Sequence, residues 1–191
     1  MQAGERLILA SASPRRAELL QKEGIPFEKC PVDFDEDSII EREPPRLVRL
    51  LAEAKAEACP RNGLVLGADT VVALDGRIFG KPADLDEARS FLKILSGKTH
   101  QVHTGVCIRR DNVKLSWTAT SQVTFRRLDE KTISDYFSCV NPLDKAGAYA
   151  IQEKGEFIVA SHSGLLSTII GLPVEEVSKI LGFKASRKLK I

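Results

Sequence analysis

One carboxylate stands alone in an apolar run: Asp69, in the stretch GLVLGADTVVALDG. A carboxylate there is unfavourable unless it is paired, hydrogen-bonded or bound to a metal. It suits a ligand for a hard divalent cation or a general base aimed at water, against the plainer reading of a turn cap made through backbone amides. A second feature is the pair Arg15-Arg16 in LASASPRRAELL. Ser13 is a good helix N-cap and Pro14 suits the first helical position, so both arginines fall in the first turn. Cations are disfavoured there by about 0.3–1 kcal/mol, because that end carries the positive pole and unpaired N–H groups. A phosphate lodged between the amides and the guanidiniums would reverse the sign. Pairing with Glu18 and Glu23, or simple solvation, is the alternative. Lys55 on an alanine-rich helix face, Lys81 in FGKP and Lys145 in LDKAGAY extend the set of cations. Five cations with one carboxylate able to hold Mg²⁺ fit chemistry on a triphosphate, where catalysis is mostly positioning and charge neutralisation.

Other chemistries are disfavoured. There is no G-x-x-x-x-G-K-[ST] loop, no kinase-type glycine-rich signature and no G-x-S-x-G elbow, and Ser11 and Ser13 have no histidine near them in sequence. His100 and His103 head a strand-like run and read as strand residues rather than as a metal site. Cys30, Cys59, Cys107 and Cys139 are far apart with no C-x-x-C pair, so neither a zinc knuckle nor a disulfide framework is expected. The formal charge of +2 is tail-weighted: Lys184, Arg187, Lys188 and Lys190 hold +4, leaving −2 for the rest. That balance argues against a nucleic-acid partner. No apolar run approaches the roughly 20 residues of a membrane span and no signal-peptide pattern is present, so the expectation is a cytoplasmic protein without a membrane partner.

The elements that must position these groups follow from periodicity. A buried strand is expected at 6–10, a helix from Pro14 stopped by Gly24, a short strand at 27–32, and an acidic loop, Asp33 to Asp37, which reads as solvated in preference to a second metal contact. A helix at 45–58 has its apolar positions Leu47, Leu50, Leu51, Ala54 and Ala58 at helical spacing. A strand at 64–68 continues through 70–74 to an Asp75-Gly76 turn and a short return. Asp84, with Glu87 three residues on, caps the next helix, and Gly97 stops it. Strands at 101–109 and 115–125 read as antiparallel neighbours joined at Asp111-Asn112. A helix at 129–139, strands at 149–151 and 157–160, and a helix at Val174–Leu181 complete a single α/β domain spanning 1–191, its mixed central sheet flanked by helices on both faces. Residues 184–191 read as a solvated basic tail. Ligands on such sheets bind beyond the carboxyl ends of strands, where Ser11–Arg16 and Asp69-Thr70 fall.

The blocks LASASPRR, GADTVV, GKP, LSGKTHQVHTGV and PLDKAGAYAIQ, in that order, resemble the Maf family of nucleoside triphosphate pyrophosphatases. The resemblance implies a fold related to the inosine triphosphate pyrophosphatases, two lobes around a deep cleft, a homodimer, and cleavage of a nucleoside triphosphate to monophosphate and pyrophosphate with a divalent metal, Mg²⁺ or Mn²⁺. It puts the catalytic, metal-binding carboxylate on Asp69 and phosphate binding on Arg15, Arg16, Lys55 and Lys81. Arg15, Thr70 and Gln152 resemble the base-selecting set of the branch acting on dTTP and UTP, and one amide at Gln152 offers both donor and acceptor to a pyrimidine edge. The rival readings are a 7-methyl-GTP pyrophosphatase and a nucleotide-responsive regulator of cell division. The chain departs from the family pattern at Glu153-Lys154, where small residues are usual, and at Leu165-Leu166.

Overall fold

The apolar run after Arg6 forms β1 (Leu7–Leu9), and Pro14 opens α1 (Pro14–Lys22) with the Ser13 side chain accepting from Arg16 N. After β2 (Phe27–Lys29) and α2 (Pro44–Ala58) comes the long β3 (Leu64–Leu74). Asp75 and Gly76 both take positive φ (50° and 79°), the condition for a type I′ turn into β4 (Arg77–Phe79). Then follow α3 (Leu85–Leu95), the hairpin β5 (Thr99–Arg110) and β6 (Val113–Phe125), α4 (Glu130–Cys139), β7 (Val159–Ser163), α5 (Leu166–Ile170) and α6 (Val174–Leu181). This computed structural model describes residues 6–183, so the basic tail at 184–191 lies outside the described residues. No helix among them is long and apolar enough to cross a membrane.

The strands make one seven-stranded sheet in the order β2-β1-β3-β5-β6-β7, with β4 on β3. β1 runs parallel to both neighbours, Ile8 pairing with Glu28 and with Val65, whereas β3 to β7 pair antiparallel. Alternate residues of a strand face opposite sides. Leu7, Leu9, Leu66 and Ala68 pack under Ala17, Leu19 and Leu20 of α1 on one face. Ile8, Ala10 and Val65 pack under Ala52 and Ala56 of α2 on the other. Two glycines let α2 sit directly on the sheet. A Cβ at Gly67 would lie 2.2 Å from Ala52 O, and one at Gly105 2.0 Å from Val48 O.

The backbone departs from the sequence expectation in the C-terminal third. No strand forms at 149–151: Gly147 and Ala148 take positive φ, and the buried Tyr136 hydroxyl accepts from Ala150 N at 3.0 Å and donates to Ala150 O at 3.3 Å. That one side chain satisfies the backbone groups a strand partner would have used. The strand expected at 157–160 is displaced to Val159–Ser163 by a 3-10 turn at Gly155–Phe157. The short helix α5 was not expected, although Leu166, Ile169 and Ile170 have helical spacing before Gly171. His100 and His103 are buried strand residues hydrogen-bonded to Tyr149 and Thr120, and all four cysteines are free thiols.

Candidate active site

β1 stops at Leu9 while β3 runs on. Ala10 N still donates to Leu66 O at 2.9 Å, and beyond that point β3 has no strand partner on its β1 side until β4 joins it at Val72. Asp69 and Thr70 therefore overhang the carboxyl end of β1. Being adjacent, they face opposite sides of the sheet. A cavity of about 880 Å³ wraps this overhang, within the size range of small-molecule sites. Arg15, Arg16, Lys55, Asp69, Thr70, Lys81 and Gln152, every site residue expected from the sequence, line it.

On the α2 side, Asp69 is 7% exposed and accepts from Lys55 Nζ at 2.6 Å through Oδ1. The same ammonium donates to Glu36 Oε1 at 2.8 Å. Burial pushes the Asp69 carboxyl above its ordinary range, against the pull of Lys55 and Arg16. Burial also opposes ionisation of Glu36, but Lys55, with Lys81 and Arg16 farther off, brings it net below the ordinary value. The acidic loop is thus not merely solvated. Asp35 caps a 3-10 turn, Glu36–Ser38, that delivers Glu36 to the cavity wall beside Asp33 and Asp37. Nothing distinguished Glu36 from its acidic neighbours in sequence; the available signal was Val32, Phe34 and Ile39, apolar residues interleaved with the acids, which line the same wall.

On the α1 side, the two arginines diverge, and neither pairs with Glu18 or Glu23. Arg16 is held by three acceptors: Nε donates to Gly171 O at 2.9 Å, Nη1 to Ser11 Oγ at 3.0 Å and Nη2 to Thr70 Oγ1 at 3.3 Å. Burial pulls its pKa down, and the Asp69 charge opposes that. The Thr70 hydroxyl lies 2.9 Å from that of Thr104, whose own proton goes to Thr168 O at 2.9 Å. A hydroxyl has one proton, so Thr70, accepting from Arg16, donates its own to Thr104 or to Gly171 O, 3.5 Å away. Its remaining lone pair is all it has left to offer, and to a ligand Thr70 is an acceptor only. Thr104 was missed in sequence because its role depends on β3–β5 register, which pairs it with Thr70.

Arg15 turns the other way, placing Nη1 2.9 Å from Asp144 Oδ2 and Nη2 3.0 Å from Asp144 O. Lys145 is not a cation offered to a polyanion. It is 4% exposed, and its Nζ is taken up by Asp144 Oδ1 at 2.8 Å and Asn141 O at 2.9 Å. Lys81 is exposed at the rim and makes no ion pair among the described residues. Gln152 is exposed on the wall near Asp144 and Lys145.

A divalent cation would find hard oxygen donors here. Asp69 Oδ2 has no hydrogen-bond partner among the described residues, and Glu36 shares the Lys55 ammonium with it. No group of three or more His, Cys, Asp and Glu residues that could hold a metal occurs among the described residues. One or two carboxylates with phosphate oxygens and water completing the shell is the usual Mg²⁺ arrangement, and this donor set fits it.

Comparison with known proteins supplies an independent observation. The Maf-like protein family model matches residues 6–183. A protein of Akkermansia muciniphila named dTTP/UTP pyrophosphatase is 47% identical over 185 residues, covering 94% of this chain and 98% of that one. Proteins of the same name from Anaeromyxobacter dehalogenans and Bacillus cereus are 46% and 42% identical, covering 92% and 93% of this chain and 92% and 94% of theirs. Among solved structures, the Staphylococcus aureus Ham1 protein superposes with a TM-score of 0.41 at 14% identity, covering 80% of this chain and 90% of that one, a likeness too loose to decide anything.

Proposed function

Because the chain belongs to the Maf family, we propose that its cavity hydrolyses dTTP and UTP to the nucleoside monophosphate and pyrophosphate. The observation that carries the reading is the buried Asp69 carboxylate, set by Lys55 and Glu36 at the overhang of β3, in a cavity whose other walls supply Arg16, Arg15 and Lys81. Water attacks the α-phosphorus, a new P–O bond forms, and the bond to the bridging oxygen breaks with pyrophosphate leaving. Asp69 orients that water and takes its proton. Lys55 holds the carboxylate in place and, with Lys81 and Arg16, offsets charge building on the phosphates.

Asp69, with Glu36 beside it, would hold a divalent cation. When bound, such an ion supplies charge neutralisation on the phosphate oxygens. Arg15 and Gln152 meet the base. Arg15 retains donors beyond the two taken by Asp144, suited to a pyrimidine carbonyl, and the Gln152 amide can pair as donor and acceptor at once. Thr70 completes the set as an acceptor.

The test is pyrophosphate release from dTTP, UTP, CTP and 7-methyl-GTP with Mg²⁺ or Mn²⁺, comparing wild type with Asp69→Asn. Release from dTTP and UTP is expected, with turnover lost in Asp69→Asn while the fold and nucleotide binding persist. Unchanged turnover in that variant would remove Asp69 from the chemistry, and release confined to 7-methyl-GTP would assign the other branch.

A further inference from the structure

We propose that Glu153 is a positioning residue for base selection, fixing Arg15 at the base end of the cavity through Lys145 and Asp144. The inference rests on the reading that the pyrimidine lies against Arg15 and Gln152. Four charges alternate in one chain of contacts. Glu153 Oε2 lies 3.2 Å from Lys145 Nζ, Lys145 donates to Asp144 Oδ1 at 2.8 Å, and the other oxygen of that carboxylate takes Arg15 Nη1 at 2.9 Å. Arg15 Nη2 takes the backbone oxygen of the same residue at 3.0 Å, so its planar fork is gripped at two points by Asp144 alone.

What holds Asp144 therefore decides where Arg15 points. The Lys145 side chain is only 5% exposed, and a buried ammonium takes whatever anions it can reach. With Glu153 present, it is shared between two carboxylates. Without it, Asp144 becomes its sole carboxylate partner among the described residues and is drawn inward, loosening the grip on Arg15. Glu153 also adjoins Gln152 in sequence, and Lys154 next to it takes a left-handed φ of 56°, a tight backbone course that fixes the segment. Glu153 thus supplies the terminal charge of a network that reaches the base pocket.

The experiment is a double-mutant cycle of Glu153→Gln and Arg15→Met. It is read by titration calorimetry with the non-hydrolysable uridine 5′-(α,β-imido)triphosphate in the presence of Mg²⁺, and by steady-state pyrophosphate release from UTP. Glu153→Gln should weaken analogue binding and raise KM by about fivefold with kcat nearly unchanged, Glu153→Asp should recover most of the loss, and in the Arg15→Met background Glu153→Gln should do nothing further. Binding unaltered by Glu153→Gln overturns the proposal. So does a loss of equal size in the Arg15→Met background, since Glu153 would then act without Arg15. Absence of pyrophosphate release by wild type would sink the hydrolase reading alone, because the binding cycle still reports on the coupling.

Discussion

Thr70 carries more information than its chemistry suggests, because its proton is already committed within the protein, to Thr104 or to Gly171 O. Uracil and thymine present an N3–H donor where cytosine presents a lone pair, so an acceptor-only hydroxyl favours the first two and repels the third. Thr70→Val, which keeps the shape and removes the hydroxyl, should reduce the kcat/KM preference for UTP over CTP by about tenfold, measured as the ratio of pyrophosphate release rates. A ratio unchanged by the substitution would show that the hydroxyl does not touch the base. At this scale the sequence was legible where a residue was locally out of place. Asp69 interrupts an apolar run, and Arg15 and Arg16 occupy the wrong pole of a helix. Glu36, Thr104 and Asp144 were invisible because each is ordinary in its own stretch and acquires meaning only from a partner far along the chain.

Lys55 reaches Asp69 because α2 lies low on the sheet, and Gly67 and Gly105 set that height. Gly105 also pairs with Asp69 across the β3–β5 ladder, where a side chain would crowd the carboxylate's face. Gly105→Ala should lift α2, cost about 1–3 kcal/mol in urea unfolding and lower kcat by separating Lys55 from Asp69. Full activity with unchanged stability would mean that α2 has room the backbone does not show. Most elements were legible from period and punctuation: the existence of α2, the Asp75-Gly76 turn, and the Asp84 cap, whose side chain accepts from Glu87 N at 2.8 Å. The face of α2 was not, because its alanines recur on several sides: of Leu47, Leu50, Leu51, Ala54 and Ala58 only Leu51 is buried, and Val48, Ala52 and Ala56 complete the face on the sheet. The segment at 149–151 was not, because an apolar β-prone run reads as a strand whether its backbone pairs with another strand or, as here, with the Tyr136 hydroxyl.

Across the whole molecule, stability is tied to pH through a histidine that no step of the chemistry uses. His100 is 1% exposed, its Nε2 lies 2.8 Å from the Tyr149 hydroxyl, and Nδ1 has no hydrogen-bond partner among the described residues. Burial pushes its pKa down to about 4. The unfolded chain, with an ordinary histidine near pH 6.5, binds the proton more readily than the native state, so unfolding takes up protons between these values. The stabilisation is complete above pH 6.5 and is lost as pH falls toward 4, amounting to about 3 kcal/mol over that window. Denaturant titrations from pH 7 to pH 4 should show this decline, and His100→Gln should flatten it; an equal decline in the variant would assign it to other groups. His103, also depressed by burial, acts with the same sign. Arg16, finally, depends on a carbonyl 155 residues downstream, that of Gly171. During synthesis a ribosome therefore releases the strand bearing Asp69 long before it releases this one of the three acceptors that hold Arg16. Until α5 and Gly171 have emerged, Arg16 lacks one of the three bonds that hold it, so this arginine takes its full setting only in a chain that is nearly complete.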